Sequence, residues 1–364
     1  MTKKEILEIK KQFTPENCAI TRICGCCVGN EHEKRMQMKK AFLSLPEEET
    51  FKYYDIFKKV LSGGLEKNLL NLAFPTKEEQ PGGKQEFLYR LLKSRLTDDD
   101  LLEEFYDKVI DNLQVAGNYF IILIHGAYDV PGKASDGTSM EDASDDVYEY
   151  LLCAICPVSL SKAGLSYNID ENSIGERMRD WIVDLPMNGF LFPAFTDRAS
   201  DIHHALYYTK KTTDLKPELI DGVLGGTLPV SADEQKERFE RLTESILGNS
   251  CDYNAVSQIY SNLLEKMVDD PAVPLEKEDI RKVFEECDVS MESFDDVYED
   301  LVGNHTLYAT NIADERCVKI EHPSLSIKVD PDRLDLIESK IIDGRKYLLI
   351  AADDSIKING IHTT

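Results

Sequence analysis

Asn118-Tyr119-Phe120-Ile121-Ile122-Leu123-Ile124 decides the fold class. After the asparagine every residue is aromatic or a branched aliphatic, a composition that packs well on a pleated surface and crowds a helix. The run has the length of a strand and falls far short of the ~20 apolar residues that span a bilayer. A polar, glycine-bearing segment, residues 129–146, follows it. Then comes a second apolar run, Val147-Tyr148-Glu149-Tyr150-Leu151-Leu152-Cys153-Ala154-Ile155-Cys156-Pro157-Val158. Two strands around such a loop, with no helix of crossover length between them, predict an antiparallel pair rather than a βαβ unit.

Outward from this pair the same texture continues. Strands are expected at 19–28, 69–74, 181–185 and 189–195, the last two split by the turn Pro186-Met187-Asn188. Helices are expected at 3–12, 47–61, 84–96 and 98–113. The last of these opens on Thr97-Asp98-Asp99-Asp100, where a hydroxyl and three carboxylates suit the positive end of a helix. The fold class that follows is α+β: a mainly antiparallel sheet with helices packed on one side.

Beyond Lys211 the pattern turns helical, at 217–224, 232–247 and 253–267. Asp269-Asp270-Pro271-Ala272-Val273-Pro274 then reads as a linker, with two prolines that cannot donate to a ladder. Two acidic helices, 277–286 and 290–301, precede strands at 317–321, 324–329, 336–342 and 346–351. Asp343-Gly344 between two apolar runs is the signature of a type I′ hairpin. The expected organisation is an N-terminal α+β domain (1–211), a helical segment (212–270) and a small C-terminal α+β module (271–364).

The 364 residues carry a net charge of −25. Such a field repels phosphate backbones and anionic lipid, so bulk nucleic acid and membranes are disfavoured, and any electrostatically recruited partner is a basic protein. Residues 1–11 lack the apolar run of a leader. Nine cysteines, an odd number scattered along the chain, do not form a disulfide framework. Reduced thiols in a cytoplasmic protein are expected, and the oligomeric state stays open.

Three groups of residues could carry chemistry. Cys24, Cys26, Cys153 and Cys156 supply a CxC and a CxxC, together the four-thiolate set of a structural zinc site. Yet Cys153 and Cys156 sit in an apolar run, where a cysteine behaves as a small core residue, and three apart on a strand they face opposite ways. The acidic segment 129–146 holds Asp129, Asp136, Glu141, Asp142, Asp145 and Asp146, but not at the alternation that an EF-hand requires. His125, just before it, could act as a general base oriented by Asp129. The third group lies in Phe195-Thr196-Asp197-Arg198-Ala199-Ser200-Asp201-Ile202-His203-His204. As a helix this stretch would gather Asp197, Asp201 and His204 on one face. As a strand it would part His203 from His204. Arg198 could grip a carboxylate or phosphate, or simply pair with a neighbouring aspartate. The common nucleotide, hydrolase and zinc-protease signatures are absent from the sequence, and no cofactor is expected beyond the zinc alternative.

Ile23-Cys24-Gly25-Cys26, Asp142-Ala143-Ser144-Asp145-Asp146-Val147-Tyr148, Cys153-Ala154-Ile155-Cys156-Pro157-Val158, Gly189-Phe190-Leu191-Phe192-Pro193-Ala194-Phe195 and the tail Ile342-Asp343-Gly344-Arg345-Lys346-Tyr347 form one set. On these motifs the chain resembles, essentially end to end, an uncharacterised domain-of-unknown-function family (family 4317) of anaerobic Gram-positive bacteria. The resemblance implies a bacterial cytoplasmic protein and carries over no catalytic residue. Two functions remain as expectations: a non-catalytic binding or adaptor protein, and an enzyme of hydrolase or phosphate-handling type. The enzyme would build its pocket from His125, Asp129, Arg198, Asp201 and His204.

Overall fold

The strand expected at 118–124 is the start of a much longer element. In the computed structural model, β4 (Asn118–Lys133) pairs antiparallel with β5 (Ser139–Leu160) from Asn118↔Val158 to Lys133↔Ser139. The structure describes the chain except residues 134–138, 228, 268–273, 288–290, 315–316, 352–356, 359–360 and 363–364. At 132–133, 139–146, 249, 332 and 357–358 it describes the backbone alone. Most of the acidic segment is therefore ladder rather than loop. Tyr128 and Val130 are buried and Asp129 is exposed, the alternation of a half-buried strand. Asp136 and most of the expected linker, residues 269–273, lie outside the described residues.

Six more strands complete the central sheet: β1 (Ile20–Val28), β2 (Lys34–Ala41), β3 (Leu69–Ala73), β8 (Trp181–Val183), β9 (Asn188–Phe192) and β12 (His204–Thr209). Their order is β2-β1-β4-β5-β9-β12-β3, with β8 beside the end of β5, and neighbouring strands run antiparallel throughout. Two small hairpins stand apart: β6 (Leu165–Asn168) with β7 (Ser173–Glu176), and β10 (Ala194–Thr196) with β11 (Ala199–Asp201).

Helices cover both faces, not one. On one face α3 (Lys84–Lys93), α4 (Asp99–Asn112) and the turn α5 (Pro217–Leu219) bring Leu88, Leu91, Phe105, Val109 and Leu219 against Cys24, Ile121, Leu123 and Phe190. On the other, α1 (Lys3–Lys10) and α2 (Glu47–Val60) bring Ile6, Ile9, Phe57 and Val60 against Ile122, Ile124, Leu152 and Leu191. The unbroken apolar run Ile121–Ile124 is the consequence, since successive side chains point to opposite, equally dry faces. Each such side chain contributes about 1.5–3 kcal/mol on burial. Local signals hold the helices in place: Thr2 and Glu5 form a capping box on α1, and Asp98 rather than Thr97 caps α4, accepting from the N–H groups of Asp100 and Leu101.

The chain forms two units, Met1–Pro229 and Val230–Thr364. In the second, α6 (Ala232–Leu247), α7 (Tyr253–Lys266), α8 (Lys277–Glu285), α9 (Phe294–Leu301) and α10 (Ala309–Ile312) share one core through Phe239, Leu242, Leu263, Phe284 and Phe294. The short pair β13 (Pro274–Leu275) and β14 (Leu307–Tyr308) closes it. Gln235 is a buried hub: its Nε2 donates to Val230 O (2.8 Å), and its Oε1 accepts from Tyr308 N (2.9 Å) and Asn311 Nδ2 (3.1 Å). Two hairpins follow, β15 (Val318–His322) with β16 (Leu325–Val329), and β17 (Ile337–Ile342) with β18 (Arg345–Ile350). Asp343 and Gly344 both have positive φ (49° and 74°), as the type I′ signature requires. Among the described residues no helix is long and apolar enough to cross a membrane.

Candidate functional site

The segment 195–204 folds as strand, turn, strand. At the tip of the β10–β11 hairpin Asp197 and Arg198 both adopt left-handed backbone (φ 51° and 61°), which disfavours side chains with a Cβ. Helix α1 holds that turn. Glu5 Oε1 accepts from Asp197 N (2.7 Å), and Glu8 Oε1 accepts from Arg198 Nη1 (2.7 Å) and from the Tyr128 hydroxyl (3.0 Å). Arg198 Nη2 donates to Pro131 O (2.7 Å). The Arg198 turn thus meets β4 just beyond Asp129, as an intramolecular clamp whose arginine donors are directed at groups of the chain itself.

His203 and His204 part, as a strand demands. His203 Nδ1 lies 2.7 Å from Glu79 Oε1, and His204 Nδ1 lies 2.8 Å from Asp201 Oδ2. The hydrogen bond to Glu79 raises the His203 pKa, while His203 stays well exposed. Asp201 and His204 come together at the far end of β11, opposite Ala194 and away from the Asp197-Arg198 turn.

His125 sits elsewhere. It follows Ile121 and Leu123 on the face covered by α3 and α4, whereas Tyr128, whose hydroxyl joins the Arg198 clamp, packs into the opposite core. Asp129 does not orient it, because four residues of extended chain separate them by about 13 Å. Thr21 does so instead, with Oγ1 2.7 Å from Nδ1. The ring is 1 % exposed, and its Nε2 has no hydrogen-bond partner. The carboxylate it faces is that of Glu149, whose Oε1 is 3.9 Å away and is itself held by Arg95 (2.7 Å), with Lys93 on the other oxygen (3.0 Å). Burial pushes the His125 pKa down to about 4. Arg95, Lys93 and Arg22 act in the same direction, and Glu149 opposes them.

The four cysteines are all buried. Cys24, Cys26 and Cys153 belong to the α3/α4 face and Cys156 to the α1/α2 face. Cys24 and Cys153 flank Leu123 from the two neighbouring strands, their backbones about 9.5 Å apart by strand spacing, whereas two sulfurs on one zinc with ~2.3 Å bonds lie within about 4 Å of each other. Burial raises the pKa of Cys24 and Cys26 to about 11 and that of Cys153 and Cys156 further, which favours thiol over thiolate. No group of three or more His, Cys, Asp or Glu placed to hold a metal occurs among the described residues.

Glu5, Glu8, Thr21 and Glu149 organise these places, and no local pattern in the sequence marks them. The second unit adds a feature of a different kind, a hollow lined by Leu275, Glu276, Tyr298, Glu299, Asn304 and His305. Glu276 caps α8, and Lys277 lies 5.5 Å from the Tyr298 ring centre while pairing with Asp295 (2.8 Å).

No curated protein and no solved structure matches the chain. One family model does match, over residues 1–361, and with nearly the whole sequence covered the protein belongs to that family, the domain of unknown function DUF4317.

Proposed function

We propose that this is a cytoplasmic, non-catalytic binding protein, an adaptor whose second unit receives a basic protein segment. One observation carries the reading: the distribution of charge. Residues 230–364 hold 30 acidic against 15 basic side chains, whereas residues 1–229 hold 37 against 27. The shorter unit therefore bears the larger share of the negative field, and a field of one sign steers an opposite partner and rejects a like one. Within it the hollow beside α8 and α9 sets Glu276 and Glu299 beside Tyr298, whose ring already faces the chain's own Lys277, so the two carboxylates are the groups that would receive a lysine or arginine side chain. Burial raises the Tyr298 pKa, and both carboxylates act in the same direction.

The test is fluorescence anisotropy of a lysine-rich peptide with the purified full chain. Binding is expected at low ionic strength, with strong weakening once the Debye length falls below about 10 Å. The double variant Glu276→Gln/Glu299→Gln should bind several-fold more weakly. Equal affinity for a glutamate-rich peptide, or indifference to the double variant, would sink the proposal.

A second reading, a hydrolytic or phosphate-handling enzyme, is favoured by one specific feature: the buried, unpartnered Nε2 of His125 facing Glu149. It would give the working roles to His125 and Glu149, with Arg22 and Arg95 as anion contacts, rather than to Asp129, Arg198, Asp201 and His204. Turnover of p-nitrophenyl phosphate that is lost in His125→Gln would support it; no turnover by the native chain of this or of ester substrates would remove it.

A further inference from the structure

We propose that Arg22, Lys93, Arg95 and His125 form a binding site for a small phosphate-class oxyanion, which the carboxylate of Glu149 fills in the free protein. Its residues overlap those of the enzyme reading above, but only binding is required, so a chain without turnover leaves the site standing. The strand register gathers the groups. His125 on β4 stands opposite Arg22 on β1 and Leu151 on β5, and Glu149 lies two residues before Leu151. Opposed residues, and residues two apart on a strand, project to the same side of a sheet. Arg22, His125 and Glu149 therefore share the face covered by α3 and α4, where Leu151 is buried. Lys93, in the last turn of α3, and Arg95, just beyond it, reach the same place, since each holds one oxygen of Glu149.

Two of these donors have no acceptor. The Nε2 of His125 is buried without a hydrogen-bond partner, and the half-buried Arg22 side chain makes no hydrogen bond or ion pair among the described residues. Thr21 fixes where the ring proton sits. A bulge in β1 between Ile20 and Arg22 turns the Thr21 hydroxyl onto the ring, 2.7 Å from Nδ1 against 3.2 Å from the His125 carbonyl oxygen. A hydroxyl that donates to Nδ1 leaves the ring proton on Nε2. The other tautomer would aim a bare lone pair at Glu149 Oε1, 3.9 Å away, acceptor against acceptor. Nε2 is therefore a donor. A buried donor left unmatched is costly and rare in folded proteins, and this one lies among cations.

Charge and oxygen count give the class of ligand. The charges that act on His125 are one carboxylate, Glu149, and three cations, Arg95, Lys93 and Arg22, a local positive excess in a chain of charge −25. Glu149 has only two oxygens. Arg95 takes one (2.7 Å) and Lys93 the other (3.0 Å), which leaves Nε2 and Arg22 unserved. A phosphate group offers three or more acceptor oxygens, so it can serve those two donors as well, and the planar arginine fork suits it. Glu149 is able to give way. Its side chain is 16 % exposed, and Lys93 and Arg95, at 51 % and 68 %, open the site to solvent. Arg95 and Leu96 both have left-handed backbone (φ 51° and 57°), and the fully buried Leu96 anchors the turn from which Arg95 projects.

Calorimetric titration of the full chain with inorganic phosphate, with chloride holding the ionic strength constant, tests the site. The native chain should bind weakly, because Glu149 competes. Glu149→Gln, which keeps the shape and removes the charge, should bind about ten-fold more tightly. Arg22→Gln added to that variant should lose the gain, whereas Lys40→Gln, opposite Ile23 on the other face of the sheet, should keep it. Phenyl phosphate is titrated in parallel. Binding of either compound supports the site, and the comparison tells a free ion from a monoester. Melting gives a second readout should Glu149→Gln misfold. Phosphate should raise the Tm of the native chain more than that of Arg22→Gln, a difference that its general stabilising effect on proteins does not produce. Equal affinity in the native chain and Glu149→Gln, or a gain that survives Arg22→Gln, overturns the inference. So does an equal rise in Tm with and without Arg22. Phosphate bound while p-nitrophenyl phosphate is not turned over upholds the site and removes the enzyme reading alone.

Discussion

The hairpins β4–β5 and β17–β18 are written in similar residues and end in opposite states. Ile121-Ile122-Leu123-Ile124 is wholly buried on both faces, whereas Tyr347-Leu348-Leu349-Ile350 of β18 is exposed throughout. Apolar composition does not by itself bury a strand. What differs is the cover: β4 lies between α1 and α2 on one side and α3 and α4 on the other, while among the described residues β18 has β17 as its one strand partner. A core forms where amphipathic helices are available to close both faces, and the first unit has them.

Removing an apolar side chain from each hairpin gives the largest expected contrast. Leu123→Ala should cost about 2–5 kcal/mol in a urea titration followed by circular dichroism, the range for a buried leucine that leaves a cavity. Leu349→Ala should stay within about 0.5 kcal/mol, as exposed substitutions do. Equal losses would mean that β18 is covered in solution. Acid provides the next contrast. The His125 pKa is depressed to about 4 from an ordinary ~6.5, so the folded state binds fewer protons than the unfolded chain as pH falls. The stability linked to its neutral ring is fully present above pH ~6.5 and is lost progressively as pH drops toward 4, by about 1.4 kcal/mol for each pH unit and a few kcal/mol in all. His125→Gln should flatten the dependence of Tm on pH in that window. An unchanged slope would show that the ring is wetter than its 1 % exposure implies.

Much of this architecture was legible. The antiparallel α+β class follows from 118–124 and 147–158, and the β17–β18 turn from Asp343-Gly344. The continuation of β4 was hidden because Asp129, Pro131 and Gly132 read as loop, although Tyr128 and Val130 kept the strand period. The second helical face was written in the same run, since four consecutive apolar residues need two dry sides. The candidate sites were less legible for a different reason. Arg198 meets Glu8 and Pro131 across 190 and 67 residues of sequence, distances over which no local pattern reports. Whether His204 shares a face with Asp197 depended on helix against strand, which a short polar segment does not decide. The stretch from β6 to β8 is the converse case. Leu165, Tyr167, Ile174 and Trp181 look like core in the sequence, and only the fold leaves them uncovered.

Two glycines bring the contrast to its finest scale. Gly189 lies in β9 where a Cβ would stand 2.5 Å from the Cys153 carbonyl oxygen and 3.0 Å from Val60 Cγ1, so neither backbone nor helix α2 can yield cheaply. Gly344 turns the β17–β18 hairpin with nothing within 4 Å, and its only constraint is a φ of 74°. Gly189→Ala should therefore cost about 1–3 kcal/mol through overpacking of sheet against helix. Gly344→Ala should cost about 1 kcal/mol from the left-handed backbone alone. The two losses differ in kind as well as size. Shortening the clashing side chain in Val60→Ala should relieve part of the Gly189→Ala penalty in a double-mutant cycle, because the residues share one packed space. The same Val60→Ala background should leave the Gly344→Ala penalty unchanged. Additivity in both cycles would show that Gly189 is required by the Cys153 backbone only, and that α2 is free to move off the sheet.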